Sequence, residues 1–146
     1  MAKPKKVDET ELVVKMDQAV KLVKQQVVRH LEHAGLEMTA DQWTLLELVA
    51  SHEGLTQKQL ADAAGKDKPT VTRMLDLMLK KDWVVKEPTP GDRRSYLVLP
   101  TRNGQEVYRA GRAAAKKAHK VAWKKADGKD MKSVQKILNK LIKQLT

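Results

Sequence analysis

The stretch LTQKQLADAAGKDKPTVTRMLDLMLKKDWVVKEPTPGDRRSYLVLP, residues Leu55 to Pro100, decides the fold. It opens on Thr56-Gln-Lys-Gln59, a capping box in which the threonine hydroxyl takes an orphan amide of the first helical turn and the glutamine side chain reaches back. The short helix so started runs through Leu60 and Ala64 and ends at Gly65. Asp67 then caps a helix predicted over Lys68 to Asp82, with Pro69 in the first turn, where its missing amide costs nothing. Its apolar face is Val71, Met74, Leu75, Met78 and Leu79, and Thr70, Thr72, Arg73, Asp76 and Lys80 lie opposite. Two β-rich runs follow, Trp83 to Glu87 and Ser95 to Leu99. The segment Pro88 to Arg94 between them holds a Pro-Gly turn, so the pair reads as a hairpin whose tip carries Arg93 and Arg94.

Upstream, Thr39-Ala-Asp-Gln42 is another capping box and opens a helix through Leu45, Leu46, Leu48 and Val49, closed by Ser51 to Gly54. Before it, Leu12, Met16, Ala19, Val23, Val27 and Leu31 recur at three and four, with Val13, Val20 and Val28 widening the stripe. That spacing predicts a long helix over Thr10 to Ala34, buried on more than one side and stopped by Gly35. Downstream, Thr101 caps a helix that runs through Val107, Ala110, Ala114, Ala118 and Val121 and ends near Asp127-Gly128. Asp130 is the expected cap of a last helix, where Met131, Val134, Leu138, Leu141 and Leu145 form a stripe on an otherwise polar chain end. Such a stripe wants a partner. The chain divides into an N-terminal helix (1–38), a central unit (39–100) and C-terminal helices (101–146), a mainly α fold with a small β-hairpin.

Helix, helix, Gly-containing turn, helix and hairpin, in that order, is the layout of a winged helix-turn-helix. A helix fits the ~12 Å major groove of duplex DNA, and its polar residues reach base edges only if a small core holds the opposite side. The expected contacts from the helix over Lys68 to Asp82 are Lys68, Pro69, Thr70, Thr72 and Arg73, with Arg73 able to pair bidentately with guanine. The start of the preceding helix, Thr56 with Lys58 and Gln59, suits a backbone phosphate. Arg93 and Arg94 suit a minor groove, whose negative potential draws guanidinium groups.

Bulk charge alone points elsewhere. The chain of 146 residues carries a net charge of +11. Residues 56–100 hold nine basic against six acidic side chains, whereas residues 101–146 hold thirteen against three. A nonspecific architectural DNA-binding protein is therefore the alternative expectation, with a steep salt dependence and no sequence preference. The chain has no cysteine, which excludes disulfides, thiolate zinc sites and cysteine-based redox sensing. The basic N-terminus, Met1 to Val7, leads into Asp8, Glu9 and Glu11 and not into an apolar run, so no signal peptide is read there. With no run of ~18 apolar residues either, the expectation is a cytoplasmic protein without a membrane partner.

The motifs Thr39-Ala-Asp-Gln-Trp43, Gly54-Leu-Thr-Gln-Lys-Gln-Leu-Ala61, Lys68-Pro-Thr-Val-Thr-Arg-Met-Leu-Asp76 and Gly91-Asp-Arg-Arg-Ser95, with Leu97 to Gly104, together resemble the MarR family of multiple-antibiotic-resistance regulators. The resemblance covers roughly residues 10–145, the end helices by pattern only. It implies a homodimer on pseudo-palindromic operators, a repressor released by a small organic effector. It also implies Thr70 and Arg73 on the recognition helix, Asp92 bracing a nearby wing arginine, and a dimerisation layer built from the first helix and the last two.

His30, Trp43, Tyr108 and Arg109 are the candidate effector contacts, and the positive fifth helix favours an anionic ligand. Trp43 and Trp83 also read simply as core residues. His30 and His33 with Glu37 have a spacing that admits a metal, but no cysteine and no second matched pair supports one. No glycine-rich phosphate loop or Ser-His-Asp arrangement is found, so neither an enzyme, nor a cofactor, nor a metal is expected.

Overall fold

The computed structural model describes residues 6–146. Residues 1–5, which hold most of the basic N-terminal run, lie outside the described residues. The elements are α1 (Glu9–His33), α2 (Ala40–Ala50), β1 (Leu55–Thr56), α3 (Gln57–Ala64), α4 (Lys68–Lys80), β2 (Val84–Thr89), β3 (Asp92–Pro100), α5 (Arg102–Ala122) and α6 (Gly128–Leu145). The fold is mostly helical with one small antiparallel sheet, as expected from the pattern.

The helix starts are set locally. Thr39 and Gln42 close one capping box, Thr56 and Gln59 another, and Asp67 accepts the Thr70 amide at 2.8 Å. Thr101 accepts the Gly104 amide at 2.9 Å. The last helix departs from expectation. Its N-cap is Asp127, and Asp130 is the third helical residue, which answers the Asp127 amide from its side chain. Aspartate serves either role in a capping box, so the pattern alone left the start three residues uncertain.

The core is gathered around α2. Leu31 of α1, Leu45, Leu46 and Val49 of α2, Leu60 of α3 and Val71, Leu75 and Met78 of α4 are all buried, together with Val98 of β3. Removing a buried Leu from such a setting costs about 2 to 5 kcal/mol. From the other side α5 offers Ala114, Ala115 and Ala118, small residues that let it lie close to α1 and α2. Two α5 glycines allow close approaches as well, Gly111 to the Trp43 ring of α2 and Gly104 to the backbone just before β2, where a Cβ would sit 1.9 Å from the Trp83 carbonyl oxygen.

The sheet runs in the order β1, β3, β2, with Leu55 opposite Val98 and Lys86 opposite Val98 on the other side. The two-residue β1 was not expected from the pattern, since it exists only by pairing with β3. The hairpin strands are longer than read. They reach the turn itself, with Gly91 in the left-handed region at φ +80°, and a bulge falls at Pro88/Thr89. Arg93 and Arg94 consequently belong to β3 and point to opposite faces of the wing, instead of sharing a loose tip.

The broad burial expected of α1 is not met within one chain. Only Val27 and Leu31 of α1 are buried, while Leu12, Val13, Met16 and Val20 face solvent. In the same way α6 buries nothing, and Met131, Val134, Leu138, Leu141 and Leu145 are exposed along its length. Both stripes exist, and a single chain leaves them uncovered.

Candidate nucleic-acid interface

The starts of α3 and α4 and one face of the wing converge on an open cleft of about 270 Å³. Lys58 from α3, Lys68 from α4, Lys86 from β2 and Arg94 from β3 line it, with Thr56, Gln57, Ser95 and Tyr96 between them. Four cations share this cleft without a carboxylate. The ion pairs among the described residues are Lys21 with Asp17 and Lys24 and Lys66 with Asp41, so none of the four is paired with a described carboxylate. The two free amides at the start of α3 add partial positive charge, since Thr56 and Gln59 satisfy only the third helical amide and the cap.

The wing supplies its two cations by register. Lys86 pairs across the ladder with Val98, and Arg94, Tyr96 and Val98 alternate onto that same face. Lys86, Gln57, Ser95 and Tyr96 were absent from the sequence expectation. Period-two alternation could have placed Lys86 and Arg94 together, but only with the hairpin register known, and the Pro-rich connection hid it.

On α4, Arg73 is exposed and its guanidinium donates to the Thr70 hydroxyl at 3.4 Å. The Asp67 carboxyl is held below its ordinary 3.8, first by the hydrogen bond from the Thr70 side chain, then by that from the Thr70 amide, against slight desolvation, with the Arg73 charge contributing. Asp67, Thr70 and Arg73 are thus a linked set at the leading end of the helix. Lys68 and Pro69 are exposed beside them.

Thr72 departs from its expected role. Its hydroxyl donates to the Lys68 carbonyl at 2.9 Å and accepts from the Gln57 side-chain amide, so it ties α3 to α4. Gln59 likewise spends its side-chain oxygen on its own cap. Asp92 does not brace a guanidinium: its carboxylate accepts the Arg94 backbone amide at 2.9 Å, which shapes the turn and leaves the arginine side chain free.

Outside the cleft lining, Asp41 of α2 receives Lys24 of α1 at 3.1 Å and Lys66, in the turn before α4, also at 3.1 Å. Burial, the largest single influence, pushes the Asp41 carboxyl up, but the hydrogen bonds and charges of Lys66 and Lys24 together bring it below 3.8. The pair of bridges joins α1, α2 and the turn between α3 and α4 at one carboxylate.

Of the four candidate effector residues, Trp43 and Tyr108 are in direct contact with each other. Trp43 is buried and stacks on Tyr108 with ring centroids 5.8 Å apart, so this pair is part of the α2 to α5 packing. His30 is half-buried on α1 and its Nδ1 lies 2.9 Å from the Gln26 carbonyl. Arg109 is exposed on α5. Trp83 is buried as read, with Lys81 over its ring at 4.7 Å. Among the described residues no group of three His, Asp or Glu side chains is placed to hold a metal ion.

Residues 34–95, from the end of α1 to the middle of β3, match the family model described as the MarR family. Residues 34–95 are a MarR-family segment. The multiple antibiotic resistance protein MarR of Salmonella typhimurium is 29% identical over 97 residues, covering 65% of this chain and 67% of that protein. The fold extends the likeness beyond the segment. Sco3205, a MarR family transcriptional regulator from Streptomyces coelicolor solved in complex with DNA, superposes with a TM-score of 0.83 at 22% identity over 100% of this chain and 94% of that one. CouR from Rhodococcus jostii RHA1, solved with p-coumaroyl-CoA, superposes with a TM-score of 0.77 at 18% identity over 89% of this chain and 90% of that one. The MarR fold therefore spans all six helices here, including the two whose apolar stripes lie uncovered.

Proposed function

We propose that this protein is a homodimeric, sequence-specific duplex-DNA-binding transcription regulator, a repressor of pseudo-palindromic operators. The observation that carries the reading is the cleft of Lys58, Lys68, Lys86 and Arg94 beside the exposed Arg73. Those four cations take backbone phosphates, which set register, while Arg73 reads a base edge in the major groove and Arg93, on the other face of the wing, reaches toward the minor groove. Thr56 and Lys58 anchor the start of α3 on a phosphate, and Pro69 and Thr70 meet the groove wall. Gln59 and Thr72 act chiefly by holding α3 and α4 in place.

A second copy covers the stripes of α1 and α6. Two reading units related by a two-fold axis then meet half-sites about ten base pairs apart. That Sco3205 is a MarR family regulator in complex with DNA supports the reading. A protein that reads operators works in the cytoplasm beside the chromosome.

Release by a small organic anion is the accompanying proposal, supported by CouR with p-coumaroyl-CoA. The surroundings of the Trp43 and Tyr108 stack, with His30 and Arg109, are where such a ligand would act. A ligand there would act on the α2 to α5 packing, and so on the seat of α4.

The test is selection of duplexes from a random pool by the full chain. A recovered two-fold-symmetric consensus, repeated with candidate acids and their thioesters to find one that releases it, is the expected result. Recovery of unenriched duplex, with affinity indifferent to Arg73→Ala, would establish the nonspecific architectural alternative instead.

A further inference from the structure

The last helix carries a second charged feature that the reading cleft does not use. Lys129, Lys132, Lys136, Lys140 and Lys143 follow one another at intervals of three and four along α6. At 100° per residue they fall within an arc of about 80°, and fourteen residues of helix spread them over about 21 Å. The apolar stripe of Val134, Leu138, Leu141 and Leu145 lies diametrically opposite. Asp130 is the only acidic residue in the helix and sits outside the lysine arc, by the capping turn. None of the five lysines is in an ion pair with another described residue. They flank two shallow grooves together with Gln135, Asn139 and Ser133, uncharged groups that can also bond a phosphate.

We propose that this lysine face is a second, sequence-independent binding surface for the backbone of a separate duplex DNA segment. A row of cations about 5 Å apart, each on a flexible stem, matches a polyanion with closely spaced charges better than it matches any single compact anion. α5 repeats the arrangement with Arg109, Arg112, Lys116 and Lys120, all exposed and clear of its buried alanines. A basic amphipathic helix of this kind also suits a membrane surface, but that use needs the apolar stripe free to enter the lipid. The inference rests in this one respect on the homodimer proposed above, in which a second copy occupies that stripe. The lysine face, on the far side of the helix, then stays open.

The experiment is a sandwich capture with the full-length protein. A biotinylated duplex obtained from the selection is immobilised and saturated with protein, and a fluorescent random-sequence duplex is added at several salt concentrations. Capture of the second duplex, falling steeply with salt, is expected. The variant with all five lysines changed to Gln, checked for unchanged helicity and dimer mass, should hold the first duplex with wild-type affinity and lose the second at least tenfold. No second capture by the wild type, or equal capture by the variant, overturns the proposal. Wild-type binding to vesicles of phosphatidylglycerol in place of random duplex overturns it in favour of a membrane. Failure of the operator reading is separate, since it shows as loss of preference for the first duplex.

Discussion

The ring of Trp43 lies so close to Gly111 that a Cβ added there would stand 2.3 Å from it. α5 can rest on α2 only because that position has no side chain. The contact passes through Trp43 to the buried Leu45 and Leu46 of the same helix, and so to the seat of α4. Gly111→Ala should therefore destabilise the fold by about 1 to 3 kcal/mol, the usual cost of overpacking. Urea denaturation followed by tryptophan fluorescence measures it. An unchanged midpoint would mean that the α5 backbone yields at no cost.

Arg73 is expected to matter for recognition and not for folding. Arg73→Ala should weaken operator binding by about 1 to 3 kcal/mol and relax preference at one base position. Its melting temperature should stay that of the wild type, because the side chain is exposed and its contact with Thr70 is long. Competition binding with single-base operator variants, beside a thermal melt, separates the two.

Lys68 and Arg94 should behave differently from Arg73. Changing either to Gln removes a phosphate contact, so affinity should fall evenly across operator variants and the slope of log K against log salt should flatten by about 1. A specificity change without a slope change would move these residues from positioning to reading.

The Asp41 bridges give stability a definite pH dependence. The folded carboxyl titrates below its ordinary 3.8, so the native state favours the ionised form. The contribution is fully present above the unfolded value and is lost as pH falls through the folded one. Because the site is partly exposed, it should amount to no more than about 1 kcal/mol and shrink in high salt. Acid unfolding of the wild type and Asp41→Asn should differ near neutral pH and converge as pH falls below the titration of the folded carboxyl.

The uncovered stripes make a test of assembly that spares the monomer. Leu138 and Leu141 are exposed at 38% and 44%, so changing both to Lys buries no charge within one chain. Analytical ultracentrifugation should then show the mass of the pair variant halved relative to a wild-type dimer, with helicity retained. Persistence of the dimer would place its interface elsewhere.

Features whose partners lie within about four residues were legible in the sequence, because cap and periodicity are both properties of a single helical turn. Thr39 with Gln42, Thr56 with Gln59, Asp67 before Pro69 and Thr101 before Gly104 all start helices where the pattern puts them. The order of elements followed from these, and with it the winged layout. Gly65, left-handed at φ +64°, ends α3 for the same local reason.

What needed the tertiary structure was every relationship set by distant chain segments. Leu55 becomes a strand only against Val98, and Lys86 joins Arg94 only through the register of the hairpin. Gln57 captures Thr72, and Asp41 gathers Lys24 and Lys66, across separations no local pattern encodes. The stretch Leu55 to Pro100 determined that there is a helix presented by a wing. Which hydroxyls remain free to meet a phosphate, and which hold the helix still, was decided by packing, since a buried or half-buried polar group must bond whatever neighbour the fold brings to it.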